Sequence, residues 1–277
     1  MKHRSTSHRL PLGVLLAGAL AIGVAACGSS TTSSSTATTA AATTGTAGGQ
    51  GAGPKVVAST SWVGAVAKMA GASNITVIAP SNIQHPPDYD PKASDLAALS
   101  GASYVLVAGF EGFAQRMKDA AGSSAKVETV TPDYDPAKLR PEVERLAKEW
   151  GTTEVATKNL ATYTTQYEAA SAALKKTTAS KPQVVVAQMF VAGWAPFAGY
   201  DVKGTYGPEP TTPAKVAELA ALKPTLVFEN AHMGGGAEVA GTSGAQLVNL
   251  VNFPGDDLEL MPVVTKNAAA ITAAVGG

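Results

Sequence analysis

Between Pro141 and about Lys176 the chain keeps a helical apolar period, and that stretch constrains the architecture more than any other. Val143, Leu146, Ala147 and Trp150, then Ala156, Leu160, Tyr163, Tyr167, Ala170 and Leu174, recur at spacings of three and four. This predicts a long amphipathic helix, opened by Pro141 at a first-turn position and interrupted once at Gly151-Thr152-Thr153. A helix of that length can run as a backbone between two lobes.

Both flanks carry a different rhythm. Before the helix, short apolar runs at 55–59, 75–79, 104–108 and 127–130 read as strands, with helical patterns near Met69 and over 94–99. After Lys181-Pro182, runs at 184–187, 226–229 and 247–251 alternate with helical segments over 211–222 and 265–275. Strands alternating with helices imply parallel pairing. The predicted fold is α/β: two parallel-sheet α/β lobes joined by one long backbone helix. The expected divisions are an N-terminal lobe over 54–138, the connecting helix over 139–180 and a C-terminal lobe over 181–277.

The N-terminus sets the compartment. Lys2, Arg4 and Arg9 precede an uncharged apolar run from Leu10 to Ala26, which ends in Val24-Ala25-Ala26-Cys27. A basic start, a short apolar core and small residues before the cut predict a signal peptide over 1–26. Cys27, the only cysteine, stands where a bacterial lipobox carries its lipidated residue. Residues 27–53 are almost wholly Ser, Thr, Ala and Gly, which predicts a flexible tether. The expected location is therefore extracytoplasmic, anchored to the cell membrane through Cys27. With a single cysteine, a disulfide framework and a thiolate metal cluster are both excluded. Formal charge is zero with 21 basic and 21 acidic residues, and falls to −3 without the three basic residues of the signal. That balance argues against nucleic acid as a partner.

Candidate chemistry gathers in loops that follow predicted strands, where open α/β sheets bind ligands. Two histidines remain beyond the signal, one per lobe: His85 in Gln84-His85-Pro86-Pro87-Asp88-Tyr89-Asp90-Pro91, and His232 in Glu229-Asn230-Ala231-His232-Met233. Imidazole is the commonest protein metal ligand, and Asp88, Asp90, Glu111, Glu209 and Glu229 are available carboxylates. A His/His/carboxylate set suits Zn²⁺ first and Mn²⁺ second. Trp62, Glu111, Phe190 and Trp194 are candidate cleft-lining residues. There is no G-x-S-x-G elbow, Walker loop or H-E-x-x-H pair, so the expectation is a binding protein and not an enzyme.

The ordered set VVAST, His85 with DYDPKASDLAAL, GASYVLVAGFEGFAQRM, GTYGPEPTTPAKVAELAALKPTLVFEN and GAQLVNLVNFPG resembles the zinc- and manganese-type solute-binding lipoproteins of ABC importers, the cluster A-I or cluster 9 metal receptors. The resemblance covers about residues 55–262. It implies a two-lobed receptor that delivers its ion to a membrane permease and ATPase, with limited lobe motion because the backbone helix is rigid. Of the family's ligand quartet, His85 matches one position. The histidine expected before the backbone helix has no counterpart in Pro132-Asp133-Tyr134-Asp135-Pro136, and the two later positions fall on Gln188 and Asn252. Two alternatives stand beside a metal receptor. One is a receptor of the same architecture that takes a small organic ligand in an aromatic cleft; the other is a cell-surface interaction lipoprotein.

Overall fold

In a computed structural model of the chain, residues 53–276 are described. The predicted signal peptide, Cys27 and nearly all of the predicted tether lie outside them. The first half runs β1 (Lys55–Ala58), α1 (Ser61–Met69), β2 (Asn74–Val77), α2 (Ala93–Leu96), β3 (Tyr104–Val107), α3 (Ala114–Ala121) and β4 (Lys126–Thr129). Next come α4 (Pro136–Trp150) and α5 (Thr153–Thr178). The second half is β5 (Val185–Gln188), α6 (Trp194–Phe197), β6 (Val202–Tyr206), α7 (Pro213–Ala221), β7 (Leu226–Asn230), α8 (Ala237–Ser243), β8 (Gln246–Leu250) and α9 (Met261–Gly276).

Each half forms one four-stranded sheet, ordered β2-β1-β3-β4 and β6-β5-β7-β8, and every pairing is parallel. Parallel sheets are covered on both faces, so their central strands read as continuous apolar runs. In β5 and β7 every residue is buried. The edge strand β6 alternates instead, Val-Lys-Gly-Thr-Tyr with two exposed positions, and so escapes the run-based reading that finds the other strands.

Two helices stand where one interrupted helix was expected. Asp135 caps α4, its side chain accepting from the Ala137 N–H at 2.9 Å, with Pro136 at the first position. Pro141 therefore lies inside the helix and does not open it. The interruption falls at Gly151, whose φ of +69° is the left-handed conformation that glycine adopts without a Cβ penalty. The 26 residues of α5 then run on as the long backbone helix.

One core spans both lobes. It joins Val56 and Leu106 of the first sheet to Leu139, Leu146, Leu160 and Leu174 of α4 and α5, and to Val185, Phe228 and Ile271 of the second half. The outer faces have smaller cores of their own, around Phe113 and Met117 in one lobe and Leu219 and Val239 in the other. A shared core leaves the lobes little freedom to swing, because packed interiors resist continuous deformation. Among the described residues no helix is long and apolar enough to cross a membrane.

Candidate functional site

A cavity of about 240 Å³ lies between the lobes. Trp62, His85, Pro87 and Phe110 line it from the first lobe. Phe190, Pro208, Asn230, Met233, Asn252 and Phe253 line it from the second. All of these stand at, or just beyond, the carboxyl end of a strand, where parallel α/β sheets open toward ligands.

The lobes are fastened beside this cavity. Gln84 clasps the His232 loop twice: its side-chain amide donates to the Ala231 carbonyl, and its own carbonyl lies 3.0 Å from His232 Nδ1. The Tyr134 hydroxyl donates to the Asn252 carbonyl at 2.7 Å, and its ring stacks on Trp62 and packs at a tilt against Trp194. Elsewhere between the lobes, Ser81 donates to Asp256, and Lys68 reaches both the Asp257 carbonyl and Glu259.

These contacts fix the tautomers of the two histidines. A carbonyl can only accept, so His232 Nδ1 carries the proton and donates to Gln84. Its Nε2 is then a bare lone pair, and that atom is buried with no protein hydrogen-bond partner. Burial holds the His232 imidazole below its ordinary pKa, and the nearby His85 pushes the same way against the pull of the Gln84 carbonyl. His85 has the same polarity. Its Nδ1 is 2.7 Å from the Asp88 carboxylate, which leaves Nε2 as the ring nitrogen not held by that contact. An imidazole whose Nδ1–H is held by a carbonyl or carboxylate is oriented as metal-ligating histidines are. His232 does not itself line the cavity; its ring packs edge-on against Phe253, at 4.9 Å between centroids. A third lone pair, Asn252 Oδ1, is buried without a partner, while the Asn252 amide donates to the Phe190 carbonyl.

The other candidates have different neighbours. Gln188 lines an adjoining cavity of about 380 Å³; its Oε1 accepts from the Phe190 N–H at 2.7 Å and its amide faces the Met233 sulfur at 3.4 Å. Glu209 lines that second cavity as well. Glu229 is buried and accepts from the Gly236 N–H at 3.2 Å. At Gly236 an added Cβ would stand 2.2 Å from the Tyr206 hydroxyl, so only glycine permits this approach. Asp90 is exposed and paired with Arg116 at 2.6 Å. Glu111 is buried beneath the β3 loop, where it accepts from the Ser59 hydroxyl and from the Ala108 and Gly109 N–H groups at 2.9 and 2.8 Å. Trp62 and Phe190 line the cavity, and Trp194 is buried in the shared core. Among the described residues, no three His, Cys, Asp or Glu side chains are arranged to hold a metal ion. Gln84, Met233 and Phe253 were not singled out in the sequence. Their one signal there is adjacency to a candidate, since each lies within one residue of His85, His232 or Asn252.

Comparison with solved structures places the fold. FpvC of Pseudomonas aeruginosa, a solute-binding protein in complex with Ni²⁺, matches with a TM-score of 0.63 at 16% identity, over 80% of this chain and 97% of FpvC. The periplasmic zinc-binding protein TroA of Treponema pallidum matches with 0.61 at 17% identity, over 80% and 99%. The laminin-binding protein Lmb of Streptococcus agalactiae, described as an adhesin with metal-transporting activity, matches with 0.60 at 17% identity, over 80% and 100%. The chain has the fold of these solute-binding proteins. No protein-family model matches it, and no curated protein matches it in sequence. In this fold the interlobe cavity lies where the two sheets present their strands' carboxyl ends to each other, and the long α5 is its backbone.

Proposed function

We propose that the protein is an extracytoplasmic receptor which captures a divalent transition-metal ion between its lobes and passes it to an ABC permease and its ATPase. The observation that carries this reading is the matched pair of histidines. Each stands on a loop of a different lobe, and each has its Nδ1–H held by an oxygen acceptor, leaving Nε2 as a lone pair. The ligands in this reading are His85 Nε2, His232 Nε2 and Asn252 Oδ1. Nitrogen donors of this kind favour zinc over manganese. The structural neighbours FpvC, TroA and Lmb, which bind nickel or zinc or transport metal, support the same class of ligand. Capture needs no chemistry on the ion, only replacement of its water shell. Export and anchorage through Cys27 belong to the same reading, because a receptor of this kind must wait outside the membrane beside its permease.

The test is the zinc affinity of the full-length protein, measured in competition with a chromophoric chelator. Loss of a second-sphere partner alone weakens metal binding by about 10–100-fold, so His232→Ala should lower the affinity at least that far. An unchanged affinity in His232→Ala would sink the proposal.

A further inference from the structure

The interlobe cavity is larger than an ion requires and carries the wrong charge for a bare one. Its volume is about 240 Å³, whereas a water molecule's share of liquid is ~30 Å³. Phe110 and Phe190, both half-exposed, face it from opposite lobes, and Trp62 and Phe253 complete an aromatic enclosure. The donors offered by His85, His232 and Asn252 are all neutral.

Most carboxylates that could neutralise a dication are engaged elsewhere, and Glu209 is exposed and lines the adjoining cavity, not this one. Glu111 holds Ser59 and two backbone N–H groups, Glu229 holds Gly236 and Asp90 holds Arg116. Asp88 touches His85, but its side chain is 78% exposed, so solvent screens its charge. A dication enclosed by neutral and aromatic groups keeps its charge uncompensated, and burying such a charge is strongly unfavourable. The Trp62 indole N–H, on a residue that lines the cavity, is buried without a partner and is suited to an anionic oxygen.

We infer that the metal enters as a complex with a small anionic organic chelator that has a flat, apolar body. The inference rests on the metal-receptor reading above. The chelator's carboxylates neutralise the ion, its body lies among Trp62, Phe110, Phe190 and Phe253, and the two imidazoles complete the coordination sphere. Every bond involved is a coordination or hydrogen bond, and no covalent step is required.

The experiment is calorimetric titration of the metal-free full-length protein with NiCl₂, with dipicolinate (a planar aromatic dicarboxylate), and with their 1:1 complex. The expected result is an affinity for the complex about tenfold or more above that for the ion. In the double variant Phe110→Ala/Phe190→Ala this gain should vanish, so that the complex binds no more tightly than NiCl₂ does to the same variant. Both side chains are half-exposed, so the fold survives their loss. If dipicolinate strips nickel from the protein, or the ion alone binds as tightly as the complex, the inference is overturned while the metal reading survives. Dipicolinate alone binding as well as its complex overturns it too, in favour of a metal-free organic ligand. If neither ion nor complex binds, the metal reading itself fails.

Discussion

Replacing Tyr134 by Phe tests how the lobes and the candidate ligand Asn252 are held together. The hydroxyl makes one bond, 2.7 Å to the Asn252 carbonyl, from a buried residue. The ring stacks on Trp62 at 5.1 Å and packs at a tilt against Trp194 at 5.3 Å, and Phe preserves both contacts. The substitution therefore opens no large cavity and removes only the hydrogen bond. A buried acceptor left unpaired costs about 1–3 kcal/mol. In a domain of 150–250 residues, 1 kcal/mol corresponds to ~2–4 °C of Tm. Urea and thermal unfolding of the metal-free protein should both show a loss in that range. They should show it in a single transition, because one core joins both lobes. The same change frees the backbone beside Asn252 Oδ1, so zinc affinity should fall by about tenfold, as for other partners that orient a ligand. A loss below ~0.5 kcal/mol, typical of surface substitutions, refutes the role given to this bond. So would a normal zinc affinity in a destabilised variant, because it would detach Asn252 from the site.

Two further perturbations follow from the same structure. Leu160 is fully buried in α5 and belongs to the core shared by both lobes, so Leu160→Ala should cost about 2–5 kcal/mol in denaturant unfolding; two separate transitions, with only one of them shifted, would show that the core is not shared. The pKa of His232 is lowered in the folded state, so its stabilising contribution is present above the unfolded value of ~6.5 and fades as pH falls from there toward the folded value. Between about pH 7 and pH 5 the metal-free protein should thus lose stability relative to His232→Ala, read as a falling difference in urea midpoint, and a flat or rising difference contradicts the burial argument.

Parts of this structure are legible in the chain and parts are not, for physical reasons. The central strands announce themselves because parallel sheets are covered on both faces and give continuous apolar runs, as in 185–187 and 105–107. The edge strand Val202–Tyr206 stays hidden, since one of its faces meets water and a glycine interrupts it. The α4 start was misread at Pro141 because proline favours a first turn; the Asp135 cap and Pro136 supply the same signal five residues earlier. Periodicity places Gly151 at the break between α4 and α5, as found. The two loops proposed to hold the ion are legible from their histidines. The polarity of the site is not, because the tautomer of His232 is set by a backbone carbonyl 148 residues away in sequence. Nor could composition show that Glu111 spends its carboxylate on the β3 loop, a matter settled by local backbone geometry.

Zinc K-edge X-ray absorption on the full-length protein, loaded with one equivalent of Zn²⁺, tests the central claim most directly. The account predicts imidazole scattering from two rings at about 2.0–2.1 Å, the ordinary Zn–N distance, with one ring's contribution lost in His85→Ala and one in His232→Ala. A spectrum without imidazole scattering, or one unchanged by either substitution, would place the metal elsewhere and contradict the assignment of the interlobe histidines as its ligands.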